Sequence, residues 1–179
     1  AFAPEELDAV VLSHAHLDHT GNLPNLVARG FAGPIHCTAA TADLSRFMLS
    51  DSANLMARDV DRVNRHRKGR PLREPLYAPE DVTTTMDRMV RHAYHEAWSL
   101  FEGARVEYFN AGHILGAALT TFEFNDNGRT LRLGMGGDLG RPNRPILVDP
   151  ERHPGVDVLV LESTYGDRFH RPGEEAERA

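Results

Sequence analysis

The sequence predicts an α/β fold, and three observations carry that expectation. Short apolar runs rich in β-branched residues, Ala9–Leu12 and Ile35–Thr38, read as buried strands. Between residues 41 and 63 apolar side chains recur near the helical period, at Leu44, Phe47, Met48, Leu55, Met56, Val60 and Val63. From residue 104 the pattern turns to strands separated by glycine-rich loops, and it closes on Val156–Leu161, nearly all apolar, as in a sheet buried on both faces.

Composition bounds the functional classes. A chain of 179 residues with 41% hydrophobic and 26% charged content can bury one domain's core. No apolar run approaches the roughly 20 residues of a membrane-spanning helix, and no secretory pattern opens the chain, so a cytoplasmic protein without a membrane partner is expected. The single cysteine, Cys37, leaves no internal disulfide and removes cysteine-rich metal motifs, so any metal ligands must be His, Asp or Glu. The net charge of −6 lacks the basic footprint of most nucleic-acid-binding domains. A centre holding divalent cations carries its own positive charge, however, which keeps a phosphodiester substrate open.

The first strand runs into Ser13-His14-Ala15-His16-Leu17-Asp18-His19-Thr20, three imidazoles and a carboxylate within six positions. These are ligand types for Zn²⁺ and its transition-series neighbours. In extended chain, residues two apart face the same way, so His14 and His16 can converge on one ion. Asp18 and His19 are neighbours and diverge unless a helix begins there, which suits a second ion. Gly30–Pro34 is a breaker before the second strand, where His36 reads as a satisfied core or edge histidine. A helix or helix pair follows from about Thr41 and ends by Gly69. Its basic stretch, Arg58 to Arg73, reads as a solvated face rather than a phosphate-contacting rim. Another helix starts at Pro79-Glu80-Asp81 with Met86, Met89, Val90 and Ala93 along one side, and His92 and His95 fall on it or just beyond as surface histidines.

Strands are expected at residues 104–109, 119–124 and 130–135, the last two as a hairpin across Asn125–Gly128. Between the first two lies the glycine-flanked loop histidine His113. Asp138 sits in Gly137-Asp138-Leu139-Gly140, where glycine lets the backbone approach closely and aim a carboxylate into a crowded site. The last strand delivers Glu162-Ser163-Thr164-Tyr165-Gly166-Asp167.

His14-x-His16-x-Asp18-His19, then His113, then Asp138, each at a strand end, resembles the metallo-β-lactamase superfamily. Leu161–Arg168 is similar to the β-CASP branch, the cleavage-factor-type ribonucleases of RNA 3′-end processing and their prokaryotic relatives. The resemblance implies an αββα sandwich, partial and truncated at both ends. Residues 1–170 would form the partial domain, and 171–179 would open the link into a β-CASP domain. It implies two Zn²⁺ ions, one on His14, His16 and His113, one on Asp18 and His19, with Asp138 bridging. Asp18, Asp138 and Glu162 are then the catalytic carboxylates, Glu162 by orienting a histidine general acid. The implied reaction is attack of a metal-bridged hydroxide on a phosphodiester of single-stranded RNA, endonucleolytic with exonuclease capacity. DNA as substrate and a homo-oligomer stay open. A thioesterase or lactonase of the same fold, or an inactive metal-binding scaffold subunit, are the rival readings. Neither His153 nor His170 matches the later histidine motifs of the branch, so the chain by itself is expected to show negligible nuclease activity.

Overall fold

The computed structural model describes residues 2–126 and 128–167. Strands β1 (Val10–Val11), β2 (Ile35–Thr38) and β3 (Met89–His92) form a parallel sheet in that order. Parallel neighbours need crossovers, and helices supply them. The short α1 (Leu17–Thr20) and α2 (Leu23–Ala28) link β1 to β2, and α3 (Ala39–Arg65) and α4 (Pro79–Asp87) link β2 to β3. The second sheet runs β4 (Trp98–Phe101), β5 (Ala104–Asn110), β6 (Ala118–Asp126), β7 (Arg129–Met135) and β8 (Val158–Val160). It is antiparallel through β7, with β8 added parallel at the edge.

All of β2 is buried, because its two faces meet different partners. Ile35 and Cys37 point into the helical layer, clustered with Leu12, Leu23, Val27, Phe31 and Ala42. Each fully buried aliphatic or aromatic side chain there contributes roughly 1.5–3 kcal/mol. Toward the second sheet, the Tyr108 hydroxyl of β5 donates to the His36 carbonyl at 3.0 Å. Burial pushes the Tyr108 phenol well above its ordinary range, so it stays a donor. Layers of helices, three-stranded sheet and five-stranded sheet are thus in place, the partial α/β sandwich that the resemblance implies.

The helix after β2 is one continuous element. Thr38 caps it, its hydroxyl accepting from the Thr41 N–H at 3.2 Å. Its buried residues are Thr41, Ala42, Ser45, Leu49 and Ala53, none of them beyond the middle of the helix by more than one residue. The C-terminal half is the solvated basic face expected from the sequence, with Arg62 paired to Asp59 at 3.0 Å. Among the described residues no helix is long and apolar enough to cross a membrane.

Three expectations are corrected. Met89, Val90 and His92 do not continue α4 but form β3, pairing Ile35 with Met89 and Cys37 with Arg91. The ladder offered by a buried parallel strand outweighs a helical spacing that only a few apolar residues support. Trp98–Phe101 is a strand that the sequence reading did not assign. Finally, Val156–Leu161 is not buried on both faces: β8 spans three residues, all exposed at the edge of the sheet. The link expected over 171–179, like His170, lies outside the described residues.

His92 is also no surface histidine. Its Nε2 lies 2.8 Å from His36 Nδ1, and its ring stacks on Trp98 at 3.7 Å and 14°. Burial, and for His36 also the partner ring, holds both imidazoles below the ordinary 6.5. Below that pH the unfolded chain takes up protons that the folded pair resists. Stability from the pair is therefore complete above pH 6.5 and lost as pH falls toward the depressed folded values. A His92→Gln variant, which keeps a donor for His36, should lose less stability than the unsubstituted chain between about pH 7.5 and about pH 5.5. Urea midpoints at the two pH values check this; equal losses would contradict it.

Candidate metal centre

Beyond β1 the chain bends at Ser13 and then runs to His16, whose φ of −56° and ψ of 148° precede the turn of α1. His14 and His16 face the same way, with Nε2 and Nδ1 3.0 Å apart. The helical turn then swings Asp18 and His19 to an adjoining position, His19 Nε2 lying 3.5 Å from Asp18 Oδ2. The fully buried Thr20 holds this corner, its hydroxyl 3.0 Å from the carbonyl oxygens of both Ala15 and His16.

His113 arrives from the loop between β5 and β6. That loop is docked on the start of α3, since the Thr38 and Thr41 hydroxyls donate to the Gly116 carbonyl at 2.8 and 3.0 Å. It is also tied to the first motif, the Ala118 N–H donating to the Ser13 carbonyl at 2.8 Å. His113 Nε2 comes 3.2 Å from His16 Nδ1 and 3.4 Å from Asp138 Oδ2. Asp138 follows β7, preceded by Gly137 at φ +54°, where a Cβ would stand 2.7 Å from Ser13 Cβ. Left-handed backbone and close approach together require glycine there.

Two donor groups result: His14, His16, His113 and Asp138, and Asp18, His19 and Asp138, with ligand atoms within 4.8 Å of one another in each. Asp138 belongs to both. Its Oδ2 lies 3.7 Å from His14 Nε2, and its Oδ1 lies 3.3 Å from His19 Nε2. Zinc–imidazole bonds of about 2.0–2.1 Å place neighbouring atoms of a tetrahedral site about 3.3–3.4 Å apart. Four of the spacings in the first group, between 3.0 and 3.7 Å, bracket that value. Nitrogen and carboxylate donors at these separations could hold a divalent metal ion.

The electrostatics suit ligation. Burial, then the neighbouring His19, His16 and His113, pushes the His14 pKa down to about 3, so its ring is neutral at neutral pH. Burial also lowers His113, against the pull of Asp138. Neutral imidazole is the ligating form. Ser13, which the sequence reading passed over, completes the arrangement: its Oγ lies 3.1 Å from His14 Nδ1 and 3.3 Å from His19 Nδ1. A hydroxyl oxygen has two lone pairs, so it can accept from both Nδ1–H groups and leave both Nε2 atoms free as ligands. Its only sequence signal is its place directly before the first ligand, where serine is too common to be singled out.

Glu162 stands outside both donor groups. Its Oε1 accepts the Leu139 N–H at 2.7 Å and its Oε2 the Thr164 hydroxyl at 2.8 Å. The Leu139 bond is the main reason its carboxyl lies below the ordinary carboxylate range. With His113 and Asp138, Glu162 lines an open cleft of ≈ 800 Å³. Of the remaining histidines, His95 pairs with Glu151 at 3.3 Å, apart from the cluster.

Stacked sheets with a layer of helices, and a His/Asp cluster on the loops at their strand ends that could hold a metal ion, define the class of α/β protein to which the chain conforms. The chain belongs to the metallo-beta-lactamase superfamily, whose family model it matches over residues 1–166. It is 37% identical over 177 residues to Ribonuclease TTHA0252 of Thermus thermophilus, which covers 99% of this chain and 36% of that protein. It is 33% identical over 165 residues to Transcription termination factor FttA of Methanothermobacter thermautotrophicus, covering 92% of this chain and 24% of that one. With the FttA of Thermococcus kodakarensis it shares 33% over 176 residues, 96% of this chain and 25% of the relative. The chain thus spans between about a quarter and about a third of the length of these relatives. Among solved structures, the subclass B3 metallo-beta-lactamase MEM-A1 from a soil metagenome library covers 75% of this chain, and 43% of its own, at 16% identity and a TM-score of 0.45. The family assignment rests on the sequence match.

Loss of the Ser13 hydroxyl frees two ligand rings to turn. Ser13→Ala should weaken metal binding about 10- to 100-fold with the fold intact. Competition against a chromophoric chelator measures this, and an unchanged affinity would show that Ser13 does not orient the rings.

Proposed function

We propose that this chain is the metal-binding domain of a longer cytoplasmic protein of the β-CASP type, and that the longer protein hydrolyses RNA phosphodiester bonds with two zinc ions. The observation that carries the reading is the division of Asp138, one carboxylate oxygen facing each donor group. RNA as substrate is supported by relatives named as a ribonuclease and a transcription termination factor.

In this reading His14, His16, His113 and Asp138 hold one ion, and Asp18, His19 and Asp138 the other. When bound, such a pair supplies Lewis acidity that activates water near neutral pH and stabilises charge on a phosphoryl group. The chain's own residues do the rest. Ser13 fixes the ring tautomers on the first motif. His14 and His113, kept neutral by burial, present lone pairs without competing for protons. Asp138 offsets part of the ionic charge while setting the two positions side by side. No protein nucleophile is needed, consistent with the hydrogen bonding of Ser13 to rings rather than to a general base.

Glu162 is the positioning residue for proton transfer. It stays ionised, is fixed by the Leu139 and Thr164 bonds, and keeps lone pairs with which to orient an imidazole acid in the cleft. His113 is the one histidine lining that cleft among the described residues, and it is committed as a ligand. The isolated 179-residue chain is therefore expected to cleave RNA negligibly. Cleavage by it alone, abolished by a chelator, would contradict that expectation.

In the full-length protein, His16→Ala or Asp138→Ala should abolish cleavage of single-stranded RNA and reduce bound zinc. Asp18→Ala should lower zinc from about two ions per chain toward one, since only the second group loses a ligand. Metal analysis and a labelled-RNA cleavage assay check both. Unchanged turnover in the Asp138 variant would sink the reading, and turnover of thioesters or lactones without RNA cleavage would assign the centre to another reaction.

A further inference from the structure

Two arginines share the cleft with the candidate metal centre. Arg141 and Arg144 line the same space as His113, Asp138 and Glu162. Among the described residues neither guanidinium forms an ion pair or a side-chain hydrogen bond. Arg62, Arg91 and Arg132 pair with Asp59, Asp43 and Glu123, whereas Arg58 and Arg65 on the open face of α3 are, among the described residues, as unpaired as the two in the cleft, so it is their position beside His113, Asp138 and Glu162 that sets Arg141 and Arg144 apart. In a chain with 26 acidic and 20 basic residues, two uncommitted cations beside carboxylates are notable. Pairing with Glu162 would satisfy them, yet Glu162 is bonded instead to Leu139 and Thr164.

The backbone holds the arginine segment against the ligand loop. The Gly140 N–H donates to the Ala111 carbonyl at 2.8 Å, and the Glu151 N–H to the Asn110 carbonyl at 2.9 Å. At residue 140 a Cβ would fall 1.7 Å from the Gly112 carbonyl oxygen, so only glycine permits this clasp. Residues 140–151 are therefore fastened at both ends to the chain that carries His113. Within the loop, the Asn143 N–H donates to Asp149 Oδ1 at 2.7 Å, and Asn143 and Ile146 take φ of 60° and 72°. Arg141 leaves the backbone one residue from the Gly140 clasp, so its origin is set relative to the metal ligands rather than left to a wandering loop.

We infer that Arg141 and Arg144 bind phosphates of the RNA strand on either side of the bond being cleaved. This rests on the phosphodiesterase reading above. Metal ions at the centre neutralise only the phosphate under attack, and its neighbours along the strand need countercharge of their own. Guanidinium supplies it with two parallel N–H donors matched to phosphate oxygens, which fixes the strand's register as well as its charge. Such contacts are independent of base identity, so they position the strand without selecting a sequence.

The test uses the full-length protein, freed of metal by a chelator so that bound RNA stays intact, and a fluorescein-labelled single-stranded oligoribonucleotide. Anisotropy is measured over a range of salt concentrations. Arg141→Ala and Arg144→Ala should each weaken binding roughly tenfold. Each should also reduce the slope of log K against log salt by about 0.7, the value for one phosphate contact on a single strand. Arg141→Lys should restore the slope, and Arg65→Ala on the solvated face of α3 should change neither quantity. After metal is restored, zinc content of the alanine variants should match the unsubstituted protein. Unchanged affinity and slope would overturn the assignment while leaving the phosphodiesterase reading in place. Loss of zinc in the Arg141 variant would also overturn it, by showing a structural support of the centre. Failure of the zinc-loaded unsubstituted protein to cleave the same oligoribonucleotide would overturn the phosphodiesterase reading itself, and the arginine assignment with it.

Discussion

Asp138 sets the constraint on which the rest of the structure depends. A carboxylate whose two oxygens face two separate donor groups must be held where neither group alone would put it. Around it, ring nitrogens stand 3.0 and 3.2 Å apart, close enough for their lone pairs to share one cation. Folding thus brings side chains from three separate loops to one point, and those loops need external support.

That support comes from joints between segments distant in sequence. The Ser13 carbonyl receives the Ala118 N–H, which ties the loop of His14 to that of His113. Gly137 passes against Ser13, tying the loop of Asp138 to the same point. The start of α3 then holds Gly116 through two threonine hydroxyls. Since Ser13 also meets the rings of His14 and His19, one small residue links backbone joints to ring orientation. The packed layer beneath, from Leu12 to Ala42, is an ordinary apolar core and serves mainly to keep the ends of β1 and β2 in register.

Much of this was legible in the sequence, for identifiable reasons. The spacing of His14, His16, Asp18 and His19 at the end of a β-branched run determined which side chains could converge, because two residues of extended chain and one helical turn have fixed geometry. The order of His113 and Asp138 in glycine-flanked loops carried the family resemblance, and the match over residues 1–166 agrees with it. The strands β3 and β4 were not legible. Their few apolar residues fit a helical period as well as an extended one, and only the ladder with β2 decides for β3. The burial of β8 was misjudged because an apolar run shows a demand for cover and says nothing about what supplies it. His92 escaped notice because its partner, His36, lies 56 residues away, beyond any local pattern.

The central claim is that Asp138 joins two metal positions in one centre, and anomalous diffraction from crystals grown with zinc tests it most directly. The account predicts two anomalous peaks about 3.5–4 Å apart, one bounded by His14, His16 and His113 and the other by Asp18 and His19, with an Asp138 oxygen at each. A single peak, or two peaks of which one lies away from Asp138, would contradict it.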